Sequence, residues 1–293
     1  MHTDRRALFA LFCGAVLIGF APVFVRLADV GYTAIAFWRT ALSLPVLLPL
    51  WLANRRAGRA QPGHVGWLWL AGLFFAADLA TWHQSIRFTS VANSTLLANL
   101  APVFVTLGAF VLFGERVAKR FVLGIVIAIA GAAVLMSHSL RISRDSAFGD
   151  LLGMITAMFY AGYLLGVSRL RQSRSAVEVM WWTSLACTTA LLPLVLVLGE
   201  PIWPQSLHGW LMLIGLALLS HIGGQGLIAY AMAHLPASFS AVSLLVQPVA
   251  ATIFAWLLLG EHFGITQAIG GAIVLGGIVT CRLAMMPARP TAT

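Results

Sequence analysis

Charge is what this chain has least of. Only 9% of its 293 residues are Asp, Glu, Lys or Arg, against roughly 25% in ordinary soluble domains. Hydrophobic residues make up 60% where roughly 45–50% is usual, and a soluble fold has no interior large enough to hide them. A bilayer does. Cysteine is as sparse: Cys13, Cys187 and Cys281 each sit inside an apolar run, which argues for buried thiols and against a disulfide framework or a metal cluster. Catalytic signatures are missing. There is no H-E-x-x-H, no G-x-S-x-G and no clustered Cys/His at ligand spacing, so an intramembrane enzyme, the alternative from a different class, has no visible machinery. No G-x-x-x-x-G-K-[ST] is present, so ATP does not drive the protein directly, and no cofactor or metal is expected. The net charge of +9 does not point to nucleic acid. The basic residues fall in short loops between apolar runs, where membrane-flanking charge accounts for them.

What is there is length without polarity. Apolar runs occupy 7–28, 33–53, 65–85, 90–113, 117–137, 149–168, 179–198, 209–232, 237–259 and 264–283. Each has about 20 residues, the length at which a helix crosses the ~30 Å hydrocarbon core of a bilayer. Helices are required, because lipid offers no partner to an unpaired backbone N–H or C=O. The reading is an all-α membrane protein of ten transmembrane helices. The first run is too long for a signal peptide and has no small-residue cleavage site. With the N terminus inside, cytoplasmic segments hold thirteen of the eighteen basic residues, Arg59 and Arg289 among them. Arg87, Arg141 and Arg144 lie on the other side, and Arg26 and Arg39 lie within spans. This bias predicts a multi-pass protein of the cytoplasmic (inner) membrane with both termini in the cytoplasm.

One stretch occurs twice. Residues 90–120 read SVANSTLLANLAPVFVTLGAFVLFGERVAKR, and 146 positions further on 236–266 read PASFSAVSLLVQPVAATIFAWLLLGEHFGIT. Pro102 falls on Pro248, Gly114-Glu115 on Gly260-Glu261, and Gly124 and Gly131 on Gly270 and Gly277. This is an internal duplication of five-helix units, 1–145 and 146–293. Five spans separate the copies, so Glu115 and Glu261 are expected on opposite sides, making the halves inverted repeats. Inverted halves can exchange conformations and so open one shared site to either side in turn. That points to a carrier and away from a channel, which would need a pore lined throughout by polar or charged rings.

The residues also carry a resemblance. Gly19-Phe20-Ala21-Pro22-Val23-Phe24-Val25-Arg26, Phe37-Trp38-Arg39 in the second span, and Pro102 followed by Gly114-Glu115-Arg116, with its second copy, resemble the drug/metabolite transporter superfamily. The EamA-type exporters are the nearest group and YddG-like amino-acid exporters a plausible subgroup. The resemblance covers nearly the whole chain and is most specific in the fourth-to-fifth and ninth-to-tenth spans. It implies a secondary transporter that exports small metabolites, often amino acids, by alternating access. Drug or organic-cation carriers and nucleotide-sugar carriers are the alternatives within the superfamily. Two departures are visible: the seventh span has Trp181-Trp182-Thr183 with no counterpart to Arg39, and His262 replaces the arginine after the second Gly-Glu.

Polar groups deep in spans are costly and face a cavity or one another. In the third span Asp78, Thr81, Trp82 and Ser85 share a helical face. Thr95, Asn99 and Pro102 do so in the fourth, and Thr156, Tyr160 and Tyr163 gather in the sixth. The eighth span has His221 and Gln225 around Gly223-Gly224, and the ninth has Ser240, Ser243 and Gln247 before Pro248. A central pocket follows, with Trp82, His83, Asn99, Tyr160, Tyr163, Gln225 and Gln247 as substrate contacts for a small zwitterion with an apolar side chain. For the rings packing or interfacial anchoring is the competing role, and for Asn99 and Gln247 interhelical hydrogen bonding. Pro102, Pro248, Gly223 and Gly224 are candidate hinges, since such residues free backbone groups. Asp78 reads either as a proton-coupling carboxylate or as the partner of Arg39 or Arg26, the ion pair being favoured because a buried charge alone is strongly penalised. Glu115 and Glu261 read as caps at the start of the next helix. Small-residue stripes at Gly149, Gly153, Ala157 and Ala161, at Gly124, Ala128 and Ala132, and at Ala268, Ala272 and Gly276 favour close helix contacts and are compatible with a homodimer.

Overall fold

The computed structural model of the chain describes residues 4–58, 65–89, 91–137 and 146–285. Arg59, Arg141, Arg144 and Arg289 of the loop tally, and the repeat boundary at 145, lie outside them. The described residues form ten helical spans: α1 (Arg5–Leu27), α2 (Tyr32–Arg56), α3 (Gly66–Phe88), α4 (Asn93–Phe113), α5 (Lys119–Met136), α6 (Ala147–Leu170), α7 (Ala176–Leu198), α8 (Leu207–Ala231), α9 (Ala237–Leu259) and α10 (Ile265–Ala284). Nine are long and apolar enough to cross a membrane. The other is α3, 23 residues long, whose apolarity is diluted by Asp78, His83 and Gln84. The helix least suited to lipid is the one with most polar chemistry to place inside the bundle.

Packing between the halves has two-fold character. α5 packs on α10, α2 on α7 and α4 on α9, so each is paired with its own repeat mate. The larger remaining contacts between the halves come in reciprocal pairs: α3 on α6 answers α8 on α1, α4 on α6 answers α9 on α1, and α3 on α7 answers α8 on α2. Each half has an odd number of spans, so repeat mates run in opposite directions and the axis lies in the membrane plane. The protein is an all-α membrane protein of two inverted five-helix repeats.

Glycine makes the α5–α10 contact possible. A Cβ at Gly131 would lie 2.5 Å from the Val274 backbone nitrogen, and one at its mate Gly277 2.5 Å from that of Ala128. Backbones this close are how helices associate where lipid removes the hydrophobic drive. The stripe at Gly124, Ala128 and Ala132 is thus used within one molecule, as is the α6 stripe, where Gly149 meets Thr89 and Gly153 meets Leu97. Ala268, Ala272 and Gly276 face outward instead.

The Gly-Glu pairs end helices and do not begin them. Gly114 and Gly260 both adopt left-handed φ of 67°. The N–H of Glu115 then reaches back to the Ala109 carbonyl at 3.1 Å and that of Glu261 to Ala255 at 3.3 Å, six residues earlier in each case, which gives a last-turn carbonyl a partner at the helix C-terminus. The following helices start at Lys119 and Ile265 with no acid in the first turn, so the expected dipole-capping role of Glu115 and Glu261 is corrected to a backbone one.

Candidate substrate-binding cavity

Besides α2, which breaks at Leu42-Ser43 before Pro45 with the freed Ala41 carbonyl outside the cavity lining, four spans break near mid-depth. α1 is interrupted at Gly19-Phe20 before Pro22, α4 at Asn99-Leu100 before Pro102, and α9 at Leu244-Leu245 before Pro248. α8 carries a π-helical segment, Leu216–Gln225. Proline has no N–H for the carbonyl four residues back, which means Ile18, Ala98 and Leu244. All three line a central cavity of about 150 Å³. The Leu244 carbonyl is re-satisfied by the Gln247 N–H at 2.8 Å.

The cavity gathers Arg39 from α2, Asp78 and Trp82 from α3, Asn99 and Pro102 from α4, Tyr160 from α6, Gln225 from α8 and Gln247 and Pro248 from α9. Among the expected contacts, two stand behind its wall. Tyr163 is 2% exposed and stacks on Phe75 at 4.5 Å between centroids, one layer behind Tyr160. His83 is buried with Nδ1 2.6 Å from the Leu79 carbonyl and its ring edge-on to Trp82. Gly223 and Gly224 are not in the lining either. They let α8 approach α1, where a Cβ at Gly14 would lie 2.7 Å from the Gly224 carbonyl oxygen.

The α3 face that meets the cavity is Phe75, Asp78, Leu79 and Trp82. The predicted face was one residue off in azimuth: Thr81 bonds Thr156 at 2.9 Å and Ser85 donates to the Gly149 carbonyl at 2.7 Å, both towards α6. Phe75 was missed, though it lies at i−3 from Asp78 and i−7 from Trp82, because an apolar wall residue looks like any core residue. Also unforeseen was Glu200, which caps α2 from a distant loop by accepting from the Thr33 N–H at 2.7 Å and the Ala34 N–H at 3.3 Å.

Arg26 leaves the list of partners for Asp78. It lies at the end of α1, exposed, and pairs with Glu261, because only seven residues separate it from Gly19 and it reaches the headgroup end of the span. Arg39 and Asp78 face the same cavity, 7% and 8% exposed, yet among the described residues no ion pair closes between them. The Arg39 guanidinium rests 5.7 Å above the Phe75 ring centroid, and its Nε is buried without a hydrogen-bond partner. Asn99 Nδ2, Gln247 Nε2 and Gln225 Oε1 are likewise unpartnered, while the Tyr160 hydroxyl lies beside the Gln225 and Gln247 amides. One cavity thus brings together a guanidinium, a carboxyl group and three amides with free valences.

Access is asymmetric. The ten residues 237–246 are all buried, and Ala237–Ser243 packs on Ala101–Phe113 of α4. In the repeat mate, residues 95–100 are all partly exposed. The cavity is closed towards the face where α1 begins and open towards the other, where Val25 and Trp82 line it.

Ten spans in two inverted halves around a cavity closed on one side define a membrane protein of the carrier class. The chain belongs to the EamA-like transporter family, which matches it twice, over residues 5–137 and 147–282. An uncharacterized transporter of Archaeoglobus fulgidus is 27% identical over 270 residues, covering 92% of this chain and 94% of that protein. The pseudopaline exporter of Pseudomonas aeruginosa is 25% identical over 248 residues, 84% of each chain. A probable terminal-alkyne amino-acid exporter of Streptantibioticus cattleyicolor is 28% identical over 187 residues, 64% of this chain and 62% of that one. A crystal structure 20% identical in sequence superposes with a TM-score of 0.81 over 94% of this chain and 97% of its own, which concerns the fold alone.

Proposed function

We propose that the protein is a secondary exporter of small zwitterions, amino acids foremost, working by alternating access in the cytoplasmic membrane with both termini in the cytoplasm. The observation that carries this reading is the pair of opposite charges, Arg39 and Asp78, buried in one cavity without direct partners. A zwitterion supplies both missing partners at once, its carboxylate to Arg39 and its ammonium to Asp78. Asn99, Gln225 and Gln247 then hydrogen-bond the polar ends, and Trp82, Phe75 and Tyr160 enclose an apolar side chain. An amino-acid exporter among the relatives is in keeping with that class. Sugar nucleotides fit poorly, since a cavity of about 150 Å³ is small against the roughly 300–1,000 Å³ of drug-sized sites, and Arg39 is its only cation among the described lining residues. The basic loops orient the face where α1 begins towards the cytoplasm, so this conformation is outward-open.

The test is counterflow in liposomes with labelled amino acids, organic cations and organic anions. The reading expects exchange of zwitterions alone and its loss in Arg39→Gln and Asp78→Asn alike. Cation exchange that survives Arg39→Gln would favour the organic-cation carrier instead.

A further inference from the structure

A second cavity, about 870 Å³, lies between α3, α4 and α6 at the face where α1 begins. It shares no lining residue with the central one, and its interpretation does not rest on the proposed function. The duplication explains why it is there. In the mirrored place on the opposite face, Phe20 stacks on Phe254 at 3.6 Å between centroids, Leu216 is 1% exposed and Arg26 pairs with Glu261. The corresponding positions here, 146 residues away in each case, are Gly166, Gly108, Leu70 and Gln172. Two glycines replace the stacked rings, Leu70 is 41% exposed, and the notch stays open.

Its chemistry is that of an amphiphile's mirror image. Trp67, Leu112 and Phe113 present exposed apolar surface along its length, and exposed Arg169 stands at the end of α6. Arg169 is the rim's available cation. Arg171 is occupied by the Ala229 carbonyl, to which its Nε donates at 2.8 Å, and Arg174 by Glu178. Exposed Arg116, Lys119 and Arg120 on the same face add to the positive potential. A soluble anion would gain nothing from the apolar walls, and a zwitterionic lipid would gain little from the arginine.

We infer that this notch is a binding site for one anionic phospholipid, with an acyl chain along the Gly162–Gly166 side and the phosphate at Arg169. Basic pockets between helices at headgroup depth select anionic lipids in this way.

The experiment uses the full chain in phosphatidylcholine vesicles containing a minor fraction of dibrominated phosphatidylglycerol or dibrominated phosphatidylcholine. The signal is the part of the tryptophan quenching that Trp67→Phe removes. Quenching by the brominated phosphatidylglycerol is expected to dominate. Arg169→Gln should weaken that preference roughly fivefold, the equivalent of about 1 kcal/mol for one basic residue at a membrane surface, and Arg169→Lys should retain it. Gly166→Phe, which restores the residue of the mirrored position, should reduce quenching by both lipids. Arg169 is exposed, so its variants remain informative where Gly166→Phe fails to fold. Equal quenching by the two lipids, an unchanged preference in Arg169→Gln, or loss of the preference to added inorganic phosphate would each overturn the inference.

Discussion

Replacing Asp78 by Asn separates two roles that a buried carboxylate can have. No Arg39–Asp78 distance is within 4.0 Å, since every described ion pair at that limit involves other residues. At an effective dielectric constant near 20 their attraction therefore lies below about 4 kcal/mol. Burying each ion costs several kcal/mol after relaxation. The attraction alone does not offset two such penalties, so an ionised pair in the empty protein carries a net cost that the proposed zwitterion would relieve. Asp78→Asn keeps the shape and removes one buried charge. The melting temperature of the empty protein is then expected to stay level or rise. Affinity should fall by about 2–5 kcal/mol, the usual loss when one partner of a buried charged contact is removed, or roughly 30-fold to several thousandfold. Thermal unfolding in detergent with and without substrate reads both quantities, and counterflow reads transport. A fall in melting temperature for Asp78→Asn that Arg39→Gln rescues, with transport intact in the double variant, would show a structural ion pair and refute the reasoning.

Further expectations follow from contacts elsewhere. Gly277→Leu should destabilise by about 1–3 kcal/mol or more through overpacking against the Ala128 backbone, while Gly276→Leu, with open space beyond its Cβ position, should leave the melting temperature unchanged. Ser184→Ala removes a partner 2.8 Å from buried His221 Nε2 and should cost about 1–3 kcal/mol in denaturant or thermal unfolding. Arg26→Ala breaks an exposed ion pair with Glu261 and should change stability by no more than about 1 kcal/mol. Ser238, Ser240 and Ser243 have buried hydroxyls without partners on the segment that closes the cavity. Their replacement by Ala should favour this conformation and slow transport, visible as greater labelling of a cysteine at Ala98 from the open side.

The reach of the sequence is clearest where depth alone decides. Pro102 and Pro248, the Gly-Glu terminators and the matched glycines were visible because breakers and small residues are rare events in apolar helices. Polar residues stand out for the same reason, so Trp82, Asn99, Gln225 and Gln247 could be named, and the structure brings them to one cavity. What a linear pattern lacks is azimuth. Tyr163 is three residues from Tyr160 and at similar depth, yet it stacks into the core behind it. The π segment in α8 adds to the difficulty, since it shifts the facing of every residue after it relative to a 3.6-residue period. Phe75 was hidden by being apolar. Glu200 was hidden because its partners at Thr33 and Ala34 lie more than 160 residues away. Which face the cavity opens to is not a local property at all. Residues 95–100 and 241–246 are repeat mates that differ in burial, and under alternating access that difference belongs to the conformation and not to the local sequence.

The most direct test of the inverted duplication is the sidedness of its two terminators. In a variant with Cys13, Cys187 and Cys281 replaced, single cysteines at Glu115 and at Glu261 are offered a membrane-impermeant maleimide from each side of sealed vesicles. Labelling of the two positions from opposite sides is expected, with Glu115 on the side of the N terminus. Labelling of both from the same side would contradict the account.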